Sequence, residues 1–162
     1  HRPTVLDLIP DIGRRVYPVG RLDMDSEGLL ILTDDGELAF GLTHPSRQAP
    51  KTYLVRLKRR ATSDDLDRLA HGIRLDDGPT LPAKARFADE TGKLVEIEMR
   101  EGRKRQVRRM FAFLGNQVVR LTRIALGCVE LGRLPEGTCR ELTREEIEGL
   151  KRLLQQSDAE RR

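Results

Sequence analysis

Aromatic residues are scarce in this chain. There is no Trp, and two Tyr and four Phe make up 4% of the residues. That excludes a platform stacking several single-stranded bases on successive rings. Cysteine is equally sparse. Cys128 and Cys139 are too few for a disulfide framework and form no Cys-x-x-Cys pair, so they read as ordinary reduced thiols. Three scattered histidines offer no zinc-ligand spacing. The longest apolar runs, such as Gly28 to Leu32, are far too short to span a membrane. The N-terminus opens His1-Arg2-Pro3, without Met, and lacks the apolar core of a signal peptide. A cytoplasmic protein is expected, either a fragment or a processed chain. What the chain does have is charge. Of 162 residues 35% are charged, 30 Lys and Arg against 26 Asp and Glu, for a net +4. An excess this small informs only through its placement.

Strand and helix patterns interleave. Leu29 to Leu32 is a short apolar run ended by Thr33-Asp34-Asp35-Gly36, which suggests a buried strand. Asp34 or Asp35 then caps a short helix carrying Leu38, Ala39 and Leu42. Tyr53, Val55 and Leu57 alternate as in a strand. Ser63-Asp64-Asp65 opens a helix with Leu66, Leu69, Ala70 and Ile73 on one face, and Asp77-Gly78 marks a turn. Val95, Ile97 and Met99 alternate with Glu96 and Glu98 in the clearest half-buried strand. Val107, Met110, Phe111 and Leu114 follow at helical spacing, stopped by Gly115-Asn116. Residues 117–121 return to a strand, and Thr143 with Glu146 makes a capping box ahead of Ile147, Leu150, Leu153 and Leu154. The order is not a regular βαβ repeat. It predicts an α+β domain around a mostly antiparallel or mixed sheet flanked by helices. Residues 1–154 read as that single domain and 155–162 as a polar tail that frays.

Two stretches are unusual. From Arg100 to Arg109 the chain reads REGRKRQVRR, six basic residues against Glu101 alone, at a strand-to-helix corner. A solvated charged face is one reading. The excess of Arg over Lys and the lack of neighbouring acids favour a surface for a nucleic-acid backbone. From Gly20 the chain reads GRLDMDSEGLL, with Asp23, Asp25 and Glu27 between two glycines. Spacing alone leaves open a turn with surface acids and a magnesium site.

Longer stretches carry a resemblance. GRLDMDSEGLLILTDDGELA, from Gly20, resembles the active-site motif of the pseudouridine synthases, in particular the bacterial ribosomal RNA group of RsuA and RluB type. Lys51-Thr52-Tyr53-Leu54-Val55 resembles the family's K-x-Y strand. EGRKRQVRRMF, Glu101 to Phe111, is similar to its EGRNRQVRRMF, and Val118 to Thr143 to its closing stretch. The matches follow the family's order and cover nearly the whole chain, a far more specific signal than GRLD alone. Gly72 to Phe87 leans towards the large-subunit branch. Lys104 replaces a common Asn, and Cys139 stands where an aromatic residue is frequent. Members of this group usually begin with an S4-type RNA-binding domain. Nothing here resembles one, so the chain is expected to be a catalytic domain without that module.

The resemblance implies the pseudouridine synthase fold and isomerisation of one uridine in RNA. Large-subunit 23S ribosomal RNA is the expected substrate, with small-subunit ribosomal RNA or tRNA as alternatives. No cofactor, metal or redox change is implied, RNA is the expected partner, and a monomer is the default. By the same resemblance Asp23 is the catalytic carboxylate, as nucleophile or as base. Arg108 is its ion-pair partner, opposing the rise in pKa that burial brings; a phosphate contact is the other reading. Tyr53 packs on the flipped uracil and assists proton transfer at C5, or is a core tyrosine. Arg21 fills the gap left by the flipped base, or pairs with Asp25 or Glu27. Arg103, Lys104, Arg105 and Arg109 hold the RNA backbone and offset the cost of unstacking. Ile124 or Leu126 lies beside the base. Two competing readings are a non-catalytic RNA-binding or ribosome-assembly module and a nuclease whose Asp23, Asp25 and Glu27 hold magnesium.

Overall fold

In the computed structural model, which describes residues 3–160, the elements run β1 (Tyr17–Pro18), β2 (Glu27–Gly28), β3 (Leu32–Thr33), α1 (Gly36–Thr43), β4 (Lys51–Leu57), α2 (Ser63–His71), β5 (Arg74–Leu75), β6 (Gly78–Pro79), β7 (Lys84–Phe87), β8 (Leu94–Met99), α3 (Gln106–Phe113), β9 (Val118–Leu126), β10 (Val129–Glu130) and α4 (Arg144–Glu160). The main sheet has the order β10-β9-β4-β8-β7, and β2 pairs with β9 beside this path. Only the β2–β9 pair is parallel. The sheet is therefore mixed and mostly antiparallel, as expected. No helix among the described residues is long and apolar enough to cross a membrane.

Alternation along the strands creates the first core. β4 and β8 turn Val55, Leu57, Val95, Ile97 and Met99 to one side, where α2 contributes Leu66 and Leu69 and α3 contributes Met110 and Phe111. A second core gathers Val19, Leu29 and Ile31 with Leu38 and Leu42 of α1, Leu126, Val129 and Leu150 of α4. Local signals start the helices. Asp35 caps α1 through the Leu38 amide, and Thr143 and Glu146 exchange hydrogen bonds at the start of α4.

Residues 29–32 do not make the single buried strand that their apolar run suggests. Leu29 and Ile31 are buried, yet the segment crosses between two sheets. Glu27–Gly28 pairs with Thr122–Arg123, and Leu32–Thr33 pairs with Tyr17–Pro18. Gly28 sets this crossing. Its φ of +111° is one that side chains rarely adopt, and a Cβ would press on the Arg123 backbone, 2.7 Å from the amide nitrogen. β9 also runs past the expected 117–121 to Leu126, because β4 pairs with it along its length. α4 continues through 155–160, where the sequence suggests fraying; residues 161–162 lie outside the described residues. Gln and Glu, both good helix formers, carry it beyond Leu153 and Leu154, its last docked residues.

Gly28→Ala should destabilise the fold by about 2 kcal/mol or more, through the wrong φ and the clash with Arg123. A urea titration reads this directly. An unchanged midpoint would mean that the close approach of β2 to β9 is dispensable.

Candidate active site

A row of paired residues crosses the sheet. Gly28 of β2 is opposite Arg123 of β9, Arg123 is opposite Tyr53 of β4, and Tyr53 is opposite Ile97 of β8. Residues opposite one another across neighbouring strands project to the same face. The row therefore sets Tyr53 beside Arg123 and delivers the acidic loop next to Arg123, one strand from Tyr53. β9 carries an extra residue, Ile124, between its pairings with Thr52 and Tyr53, a bulge of the kind that re-aims side chains near sites. Leu126, the other apolar candidate, is buried in the second core.

The acidic loop is held on two sides. Arg105 forks the Asp25 carboxylate with bonds of 2.9 and 3.0 Å. Arg108 donates to the Asp25 carbonyl at 2.7 Å, and its Nε lies 3.5 Å from the same carboxylate. The Arg105 hydrogen bond, with the charges of both arginines, holds the Asp25 carboxyl below the usual range despite partial desolvation. On the other side Glu27 takes hydrogen bonds from Arg120 and from the Thr122 hydroxyl. Asp23 lies just ahead of both clamped acids, half-buried, its carbonyl accepting the Ser26 amide at 2.9 Å. Its carboxylate makes no ion pair or hydrogen bond among the described residues, and Arg105 feels its charge at longer range.

This corrects one expectation and speaks against two of the competing readings. Arg108 does not pair with Asp23. Arg105 draws Asp25 over the start of α3, and Arg108, one helical turn on, meets the same residue. Arg21 is exposed and pairs with neither Asp25 nor Glu27, whose carboxylates other arginines already occupy. Asp23, Asp25 and Glu27 do not converge as a magnesium site. Among the described residues no group of three or more His, Cys, Asp or Glu is placed to hold a metal ion.

The basic turn is also neutralised more than its sequence suggests. Its acids come from remote segments. Arg109 forks Asp77 at 3.0 and 3.1 Å. Arg103 donates to the same carboxylate at 3.0 Å and to the carbonyls of Gly78 and Pro79. Bonds from Arg109 and then Arg103 hold the Asp77 carboxyl down to about 2. Glu101 accepts from the Leu81 amide at 2.8 Å and from Gln106 at 2.6 Å, while Gln106 accepts the Arg103 amide at 3.0 Å. Arg105 adopts a left-handed φ of +52° at the corner into α3. Of the four expected backbone contacts, only Lys104 has no acid partner among the described residues. Sequence reading took Asp77 as a turn residue only and passed over Gln106. A polar residue beginning the apolar stripe of α3 was the available signal, and the structure buries it.

Behind Tyr53 lies a further group that sequence reading missed. Arg123 is only 3% exposed. Its Nε donates to the Leu29 carbonyl at 2.9 Å, while its Nη2 is buried without a partner. Lys51 donates to the Ala49 carbonyl at 3.1 Å; burial, then the Arg123 charge, pushes its ammonium pKa down. Ser26 Oγ and Arg108 Nε are likewise buried without a hydrogen-bond partner.

Residues 9–113 match the family of RNA pseudouridylate synthases. An uncharacterised RNA pseudouridine synthase of Aquifex aeolicus is 46% identical over 148 residues, covering 90% of this chain and 59% of its own length. The ribosomal large subunit pseudouridine synthase B of Bacillus subtilis is 42% identical over 156 residues, covering 94% of this chain and 64% of its own. A crystal structure of a pseudouridylate synthase superposes with a TM-score of 0.85 at 41% identity, over 91% of this chain and 65% of that one. The chain thus belongs to the RNA pseudouridylate synthase family, and it spans about three fifths of the length of these two relatives.

Asp77 yields a pH prediction. Its folded pKa of about 2 lies below the ordinary 3.8, so its contribution is present above the ordinary value and lost as pH falls through the folded one. Wild type should lose urea resistance over this window, and Asp77→Asn should lose less over the same window. Identical acid profiles would show that the Arg103–Asp77–Arg109 bridge does not stabilise the fold.

Proposed function

We propose that this chain isomerises a uridine of RNA to pseudouridine, with Asp23 as the carboxylate at the reacting nucleoside. The observation that carries the reading is an unpaired Asp23 carboxylate in the same loop as two arginine-clamped acids, Asp25 and Glu27, in a chain of this family. Asp25 and Glu27 are engaged with cations, whereas Asp23 is free to approach a sugar. Arg105 and Arg108 act on it indirectly, by fixing the loop through Asp25. This gives Arg108 a positioning role in place of a direct ion pair. Tyr53, one strand from the loop, is placed to face the base, and the Ile124 bulge borders it.

The substrate proposed is large-subunit ribosomal RNA, which would place the protein in the cytoplasm with assembling ribosomes. Support comes from the large-subunit synthases B of Bacillus subtilis and E of Xanthomonas axonopodis among the relatives, and from the stretch Gly72 to Phe87. That stretch includes Asp77, the acid that ties down Arg103 and Arg109. For binding, Arg21 and Lys104 are exposed cations free to meet phosphate. Arg103, Arg105 and Arg109 already bridge acids and offer phosphate only their remaining N–H groups.

Tritium release from ribosomal RNA labelled at uridine C5 tests the assignment. Wild type should release label with EDTA present, and Asp23→Asn should lose release while still binding RNA. Release by Asp23→Asn, or cleavage that EDTA stops, would overturn it. For binding, Lys104→Ala should lower the slope of log affinity against log salt by about 0.7 to 0.9, the share of one phosphate contact. An unchanged slope would remove Lys104 from the interface.

A further inference from the structure

Lys51 and Arg123 are two cations side by side, and among the described residues neither forms an ion pair with a carboxylate. Arg123 stands directly across from Tyr53, with Lys51 two residues along the same strand and on the same face. They occupy the boundary between the two cores. Lys51 pairs with Met99 of the first core and Leu126 of the second. A buried guanidinium beside a second cation is costly unless an anion joins it. Bracing the fold accounts for one atom of Arg123, the Nε on the Leu29 carbonyl, and leaves the enclosed Nη2 donor unused. An RNA phosphate is a poor candidate for this anion, because the backbone stays outside and only the flipped base goes in.

We infer that Lys51 and Arg123 stabilise the negative charge that uracil carries once its glycosidic bond has broken. The inference rests on the proposed isomerisation. In either route the electron pair of the C1′–N1 bond leaves with the base. Either an Asp23 oxygen bonds to C1′ in its place, or Asp23 takes the C2′ proton and that bond's electrons form a C1′=C2′ double bond. The freed base holds one negative charge over N1, O2 and O4. After it turns, a C5 electron pair forms the new bond to C1′. Asp23 then leaves C1′, or gives its proton back to C2′. The C5 proton is removed and N1 gains one, so the product is an isomer. Preorganised donors aimed at charge that develops in the reaction lower its barrier more than donors in water would.

Two measurements test this, one of them independent of turnover. In ligand-observed NMR titrations, wild type should bind 5-nitrouracil, anionic at neutral pH, about tenfold or more tightly than neutral uracil, as charge-assisted bonds require. Lys51→Met and Arg123→Met should lose this preference, and Arg123→Lys should retain part of it; thermal melts establish that each variant is folded. In single-turnover reactions Lys51→Met should be about 100-fold slower, with RNA affinity within about twofold of wild type. On RNA carrying 5-fluorouridine, a better leaving base, its deficit in glycosidic cleavage should shrink to about tenfold or less. Equal affinity of wild type for the two bases, or an equal deficit on both RNAs, would overturn the inference. Anion preference that depends on the pair, in a chain that turns over no uridine, would uphold the site and sink the proposed function instead.

Discussion

The site depends on one backbone contact, the parallel pairing of Gly28 with Arg123. Strand β9 is already committed to β4 along its whole length. Only because a residue without a side chain lies against its other edge can the acidic loop come within one strand of Tyr53. The contact is reinforced in both directions. The Leu29 amide donates to the Arg123 carbonyl at 2.8 Å, and the Arg123 side chain returns a bond to the Leu29 carbonyl at 2.9 Å.

Electrostatics then divides those acids. Asp25 faces Arg105 and Arg108, Glu27 faces Arg120, and both lose their freedom; Asp23, just ahead of them in the loop, keeps its own. The same arginines anchor the loop to α3 and to β9, so one set of charges serves as scaffold and shapes the field at Asp23. Exposed ion pairs contribute little one at a time. Here their effect is geometric, because the bidentate Arg105–Asp25 fork and the Arg120–Glu27 contact together fix the direction of the chain between the clamped residues.

Much of this was legible in the sequence. Alternation in Val95 to Met99, the helical spacing of Val107 to Leu114 and the box at Thr143 and Glu146 all correspond to elements of the fold. The motifs linked Asp23, Tyr53 and the basic turn, and their segments do adjoin through β9 and the Arg105–Asp25 fork. Pairing partners were not legible, because an ion pair is set by three-dimensional approach. Asp77 lies 32 residues from Arg109 and Asp25 80 from Arg105, so no local pattern relates them. The apolar run Leu29 to Leu32 misled for a related reason. Burial makes a strand and a buried crossing read alike. Arg123 and Lys51 were overlooked because a charged residue in a strand reads as solvent-facing until its neighbours are known.

Leu150 of α4 is fully buried in the second core, and Leu154 lies over Gly41 of α1. The crossing segment that leaves Gly28 rests on that same core through Leu29 and Ile31. One end of the acidic loop is therefore seated on residues made more than a hundred positions later. In a chain synthesised from its N-terminus, Asp23 emerges well before the α4 residues on which its loop is seated. The segment that leads out of the acidic loop therefore gains its final seat only after α4 has been made and has docked.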